Sequence, residues 1–195
     1  MLCQRGATLV EAVVATGIAI VAVGISVPLV TAGRHEQQVI DAARFISGRI
    51  ALARAGAARR GASIGIVFTP AGDGVGFRSY VDANGNGIRT SDIDGGIDLP
   101  IDVEARLGDH FNGVRFGLSP AAPAIGGGPP VGIDADPIRL GASDILSVSP
   151  LGTATSGTLY LRSREGHQAA VSILGATARV RIHQFDFQAG RWRTR

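Results

Sequence analysis

Two hydrophobic periodicities divide the chain. Residues 12–33 are about 22 consecutive positions without a charge, mostly Val, Ala and Ile. As a helix rising roughly 1.5 Å per residue, the run spans about 33 Å, enough for a hydrocarbon core of about 30 Å. It is too long for the apolar region of a secretory signal, and no Ala-x-Ala cleavage site precedes Arg34-His35-Glu36, so it reads as a retained anchor. Beyond it the residues turn polar, yet Val39, Ala43, Ile46, Ile50, Ala53 and Ala57 recur at alternating spacings of four and three. That is one stripe of a helix. Arg34, Asp41, Arg44 and Arg54 fall largely off it. The spacing predicts a single helix through both segments to Arg60, with a kink near Pro28. Arg59 and Arg60 suit its dipole, and Gly61 suits its stop.

From Ser63 the period shortens to two. Short β-runs at 63–68, 76–81, 97–105, 113–118, 145–149, 158–162, 169–174 and 178–187 are separated by Gly, Pro, Asn and Asp. Residues 119–137, rich in Ala, Gly and Pro, read as a long mobile loop. No repeat of 20 to 50 residues is evident, which argues against a solenoid. The expected fold class is α+β: a long N-terminal helix packed on a C-terminal antiparallel β-sheet domain over 61–195.

Composition narrows the chemistry. All 19 basic residues are arginine. Mechanisms that need lysine, such as the P-loop phosphate grip or a Schiff base, are therefore excluded. The net charge of +3 conceals an acidic middle and an arginine-rich end. The one cysteine, Cys3, rules out an intramolecular disulfide, and it precedes the apolar run instead of following it as a lipoprotein cysteine would.

Glu11 is the unusual residue, a carboxylate at the head of an apolar helix, where burial is costly and such groups are paired and functional. It stands in Arg5-Gly6-Ala7-Thr8-Leu9-Val10-Glu11. This string resembles the prepilin leader of type IV pilins and type II secretion pseudopilins. The resemblance implies a leader of residues 1–6, cleavage between Gly6 and Ala7 by a prepilin peptidase, and methylation of the new N-terminus. Glu11 becomes the fifth mature residue and Pro28 the twenty-second, both in family register. The first mature residue, commonly phenylalanine, is Ala7 here.

A second resemblance, to the GspH/FimT group of minor pseudopilins, rests on the strand–Pro-x-Gly–strand string from Asp144 to Leu161 and on Ala178-Arg179-Val180-Arg181, where the group commonly has Gly-Arg-ϕ-Arg. Together they imply a pilin-like fold. Residues 7–30 would form a transmembrane and assembly segment, 31–60 an amphipathic continuation, and the β-domain would face the periplasm from the bacterial inner membrane. The implied function is that of a subunit of a type II secretion pseudopilus or type IV pilus. Its partners would be other pilins, the prepilin peptidase and the inner-membrane assembly platform.

Three constellations compete for other roles. Asp82, Asn84 and Asn86 before Gly87 mimic the first half of an EF-hand loop, which makes calcium a candidate cofactor. Ile93 stands where the closing glutamate belongs, and a glycine-rich turn held by Asx contacts explains the same residues. Arg179 and Arg181, and Arg191 and Arg193 around Trp192, alternate in a way that could follow phosphates with the indole as a stacking surface. Some FimT-type minor pilins bind DNA during uptake through a terminal Gly-Arg-x-Arg element that these strings resemble, so DNA is the alternative partner; the alternative for Trp192 is packing against the sheet. The histidines at 35, 110, 167 and 183 are scattered, and no serine sits in a Gly-x-Ser-x-Gly elbow. The chain reads as a non-enzyme. A signal-anchored periplasmic enzyme or binding protein, and a calcium-stabilised tip, are the rivals.

Overall fold

A computed structural model describes residues 8–72, 74–126, 132, 135–141 and 143–195, the side chains of 23–34 excepted. Gly6, Ala7 and the side chain of Pro28 therefore lie outside the described residues. The architecture is α+β, an N-terminal helix followed by two antiparallel sheets.

Helix α1 (Leu9–Arg60) runs for 52 residues. Thr8, in an extended conformation, caps it by accepting a 3.3 Å hydrogen bond from the Glu11 amide. Gly61 ends it in the left-handed region at φ 65°, its N–H donating to the Ala57 carbonyl, a conformation glycine adopts without a Cβ penalty. All six residues of the stripe from Val39 to Ala57 are buried.

The first sheet holds β1 (Ile64–Ala71), β2 (Gly74–Val81), the two-residue strands β3 (Leu99–Pro100) and β4 (Ala105–Arg106), and β7 (Ile145–Val148), in the order β3-β2-β1-β7 with β4 also on β2. The second holds β5 (Val114–Phe116), β6 (Ile138–Arg139), β8 (Gly157–Ser163), β9 (Gln168–Leu174), β10 (Arg179–Asp186) and β11 (Arg191–Thr194), in the order β11-β10-β9-β8-β5 with β6 also on β8. Two short helices, α2 (Thr90–Asp94) and α3 (Leu107–His110), interrupt the connections. One core unites α1 with the inner faces of both sheets. At its centre Phe77 of β2 meets Phe45 of α1, Phe68 of β1 and Phe116 of β5, with ring centroids 6.1–6.3 Å apart.

The domain has two ends. At the near end, where α1 enters, His35 Nδ1 lies 2.7 Å from Glu165 in the turn after β8, and Gln184 of β10 contacts Glu36. At the far end α1 leaves through Gly61 into β1, and β2 delivers the chain to Asp82.

Two expectations are corrected. The strand expected over 97–105 is two separate two-residue pairings, β3 and β4. Between them Asp102 turns inward: it accepts from the Ser79 amide at 2.8 Å and pairs with Arg49 of α1, while its carbonyl accepts from Arg78 Nε. A side chain that occupies a backbone donor of the neighbouring strand replaces the ladder there. The loop after β5 is also less free than its composition suggests. Over 119–126 it lies on the outer face of the second sheet, where Leu118, Ser119 and Ala122 are buried. Gln168, itself 1% exposed, fastens it by accepting from the Ser119 amide and donating to the carbonyls of Gly117 and Leu161. Tyr160 Oη accepts from the Ile125 amide.

Candidate functional site

Over residues 9–22, the described part of the outer half of α1, every residue is exposed. Leu9 is 81% exposed, and Val10, Val13, Val14, Ile18, Ile20 and Val21 are all more than half exposed. Exposed apolar surface of this extent is the kind that lipid or protein contacts cover in other proteins. Glu11 is exposed among them. Thr16, deeper in this segment, returns its hydroxyl to the Ala12 carbonyl at 2.7 Å and so brings no unpaired donor to the apolar surface. Among the described residues no helix is long and apolar enough to cross a membrane. The described part of the apolar run ends at Ala22, because the side chains of 23–34 are not described.

At the far end, the Asp-Asn loop closes on itself. Asp82, 6% exposed, accepts from the amides of Gly85 and Gly87 at 2.7 and 2.8 Å. Asp98, 1% exposed, accepts from the Ala83 amide at 3.2 Å. Asp92 accepts from the side-chain amides of Asn86 and Asn84, which hold its carboxyl below the usual carboxylate range. The Asn84 side chain also takes the Asn86 amide in an Asx turn. Gly85 and Gly87 both have positive φ, which this winding requires. Among the described residues no group of three or more His, Cys, Asp or Glu could hold a metal ion. The loop's side-chain oxygens accept from its own backbone and side-chain amides, and this yields a prediction. Replacing Asp82 with Ala strands two loop amides, and urea unfolding is expected to show a loss of about 1–3 kcal/mol. Unchanged stability would mean that the loop is held by Asp98 and Asp92 alone.

The terminal arginines do not form one surface. In the β10–β11 hairpin Phe185 faces Trp192, Gln184 faces Arg193 and Asp186 faces Arg191. Side chains alternate across a strand. Arg179 and Arg181 therefore share the outer face with His183 and Trp192, whereas Arg191 and Arg193 share the opposite face with Gln184 and Asp186. Arg193 is already paired with Asp186 at 2.6 Å, and Arg195 donates to Gln184 at 2.7 Å. Trp192 packs 5.3 Å from Phe185 and 6.1 Å from Tyr160, and its Nε1 donates to the Pro123 carbonyl. The indole is a fastener for the covering loop. Arg179 and Arg181 stay exposed.

On the outer face beside Arg181 lies a contact that sequence inspection missed. Ser172 Oγ is 2.9 Å from His183 Nε2, and Thr194 Oγ1 is 3.3 Å from His183 Nδ1. Partial burial, reinforced by the Arg181 charge, lowers the imidazole below its ordinary value and so favours the neutral ring. The distance would suit a nucleophile and base. Yet the orienting group is a hydroxyl, and the three side chains stand in a row across β9, β10 and β11 as a cross-strand ladder. Cross-strand register is the only signal that could have found it, and register is not local in sequence.

One backbone detail bears on the Ala178-Arg179-Val180-Arg181 string. Ala178 has φ 48°, the one non-glycine residue with positive φ among the described residues. An L-residue pays about 1–2 kcal/mol for that conformation, which glycine avoids. No protein-family model, curated protein or solved structure matches the chain.

Proposed function

We propose that this chain is a minor pilin or pseudopilin: a subunit anchored in the bacterial inner membrane that assembles into a type II secretion pseudopilus or type IV pilus through α1. The observation that carries the reading is the division of α1. Its inner half is sealed into the core by the Val39–Ala57 stripe, and over residues 9–22 it presents an exposed apolar surface that includes Glu11. A helix rigidly fixed at one end and greasy at the other is suited first to a bilayer and then to a bundle of like helices. The Gly6-Ala7 junction and the spacing from Ala7 to Glu11 add the specificity that the physics lacks. Glycine, usual in the GspH/FimT group at the position of Ala178, would relieve the left-handed backbone found there, which supports the placement of that string.

The test is the N-terminal mass of the full chain purified from membranes of cells with an active prepilin peptidase. A chain beginning at methylated Ala7 is expected. A chain that retains Met1 to Gly6 overturns the reading in favour of an ordinary signal anchor.

A further inference from the structure

A cavity of about 470 Å3 opens between the tip of the β1–β2 hairpin, the α3–β5 segment and the end of β8. Arg106, Arg115, Arg162 and Arg164 line it, together with Asn112 and a single described acid, Asp109. Asp73 of the hairpin turn lies outside the described residues. The strands force these cations together. Arg115 and Arg162 stand directly opposite each other on β5 and β8, a like-charge pairing that is unfavourable by itself. Of the four, only Arg106 has an acidic partner among the described residues, Glu104 at 3.9 Å. Arg162 donates from Nη1 to the Leu118 carbonyl at 3.1 Å, but its Nε is buried with no acceptor among the described residues. That Nε is closed off from the cavity, so it is the remaining guanidinium N–H groups on the lining, with one described acid among four arginines, that form a donor set matched to an oxyanion.

We propose that this cavity binds a phosphate group, and that in the anchored subunit the group is the headgroup of an anionic phospholipid. The fork geometry of guanidinium selects the phosphate. Position selects the source. Arg164 immediately precedes Glu165, which is paired with His35 at 2.7 Å, and His35 comes two residues after the apolar run 12–33 ends. Val114 lies opposite Ser163, so β5 begins at this same near end. The β1–β2 turn closes there too, since β1 starts at the far end beside Gly61. The cavity thus sits on the end of the domain from which the apolar helix emerges, within reach of a bilayer surface. The lipid source rests on the anchored-subunit reading; phosphate binding does not.

The full chain in non-ionic detergent is titrated with inorganic phosphate and, separately, with short-chain phosphatidylglycerol, and binding is read by phosphorus NMR line broadening. Both ligands are expected to bind, the lipid more tightly. A double variant, Arg115→Gln with Arg164→Gln, removes two exposed side chains that make no hydrogen bond among the described residues. It should weaken both ligands by about a hundredfold, roughly tenfold for each charge-assisted contact. Arg179→Gln, at the far end, should leave both unchanged. Undiminished binding in the double variant overturns the site. Phosphate bound as tightly as the lipid, or a duplex oligonucleotide displacing both, overturns the headgroup source. Should the N-terminal mass overturn the pilin reading, the phosphate titration still decides the cavity.

Discussion

Replacing Glu11 with Ala is expected to lower incorporation of the chain into filaments by about a hundredfold or more while leaving the folded domain intact. The two halves of that expectation have separate causes. Folding is spared because residues 8–22 are exposed and outside the core, so the substitution removes no packing. Assembly suffers because, on the proposed reading, a neighbour's amine at Ala7 and the Glu11 carboxylate enter an apolar bundle together. Removing one member of a buried pair leaves the other uncompensated, which costs about 3–5 kcal/mol. At about 1.4 kcal/mol per tenfold, that corresponds to a factor of about 10² or more. The measurement is the ratio of the subunit in sheared filaments to that in membranes, beside the thermal melt of the purified variant. Glu11→Asp keeps the charge with a shorter reach and should recover part of the loss. Parental incorporation of Glu11→Ala would sink the pairing and, with it, the role of α1 as a register device.

The largest expected effect on folding belongs to Phe77. Its side chain is fully buried, and its ring meets Phe45, Phe68 and Phe116 edge-on or tilted. Those partners belong to α1, β1 and β5, so this ring touches the helix and both sheets. Truncation of a buried Phe costs about 3–5 kcal/mol through lost transfer energy and the cavity left behind. The outcome here should lie at the upper end, because three separate elements would have to shift together to refill the space. Against a total of about 5–15 kcal/mol for an ordinary domain, this is a large share of its stability. Urea unfolding of Phe77→Ala against parent reads it directly. Phe77→Leu, which refills most of the volume, should recover more than half. A loss below about 1 kcal/mol would mean that the sheets are joined mainly through the aliphatic residues around Leu146 and Leu161.

What the sequence alone determined is local. The stripe from Val39 to Ala57, the stop at Gly61 and most of the β-runs were legible because backbone period and turn chemistry act within a few residues. The Asx character of the Asp82–Gly87 loop was legible for the same reason, since Asp82 reaches amides only three and five residues onward. Where local signals misled, a distant partner had intervened. Asp102 broke the expected 97–105 strand by bonding to Ser79 and Arg49, and Gln168 pinned a loop that composition alone made mobile.

What only the tertiary structure decided follows from strand register. Alternation shows that Arg179 and Arg181 share a face, and that Arg191 and Arg193 share one. Whether those faces coincide depends on the parity of the intervening turn, and the pairing of Phe185 with Trp192 sets them on opposite sides. The same holds for the basic cavity, whose arginines come from three separate segments: Arg106 from β4, Arg115 from β5, and Arg162 and Arg164 from the end of β8. Side-chain periodicity is written into each strand, but which strands become neighbours, and in what register, is settled by burial in a shared core. That is a property of the whole chain and of no segment of it.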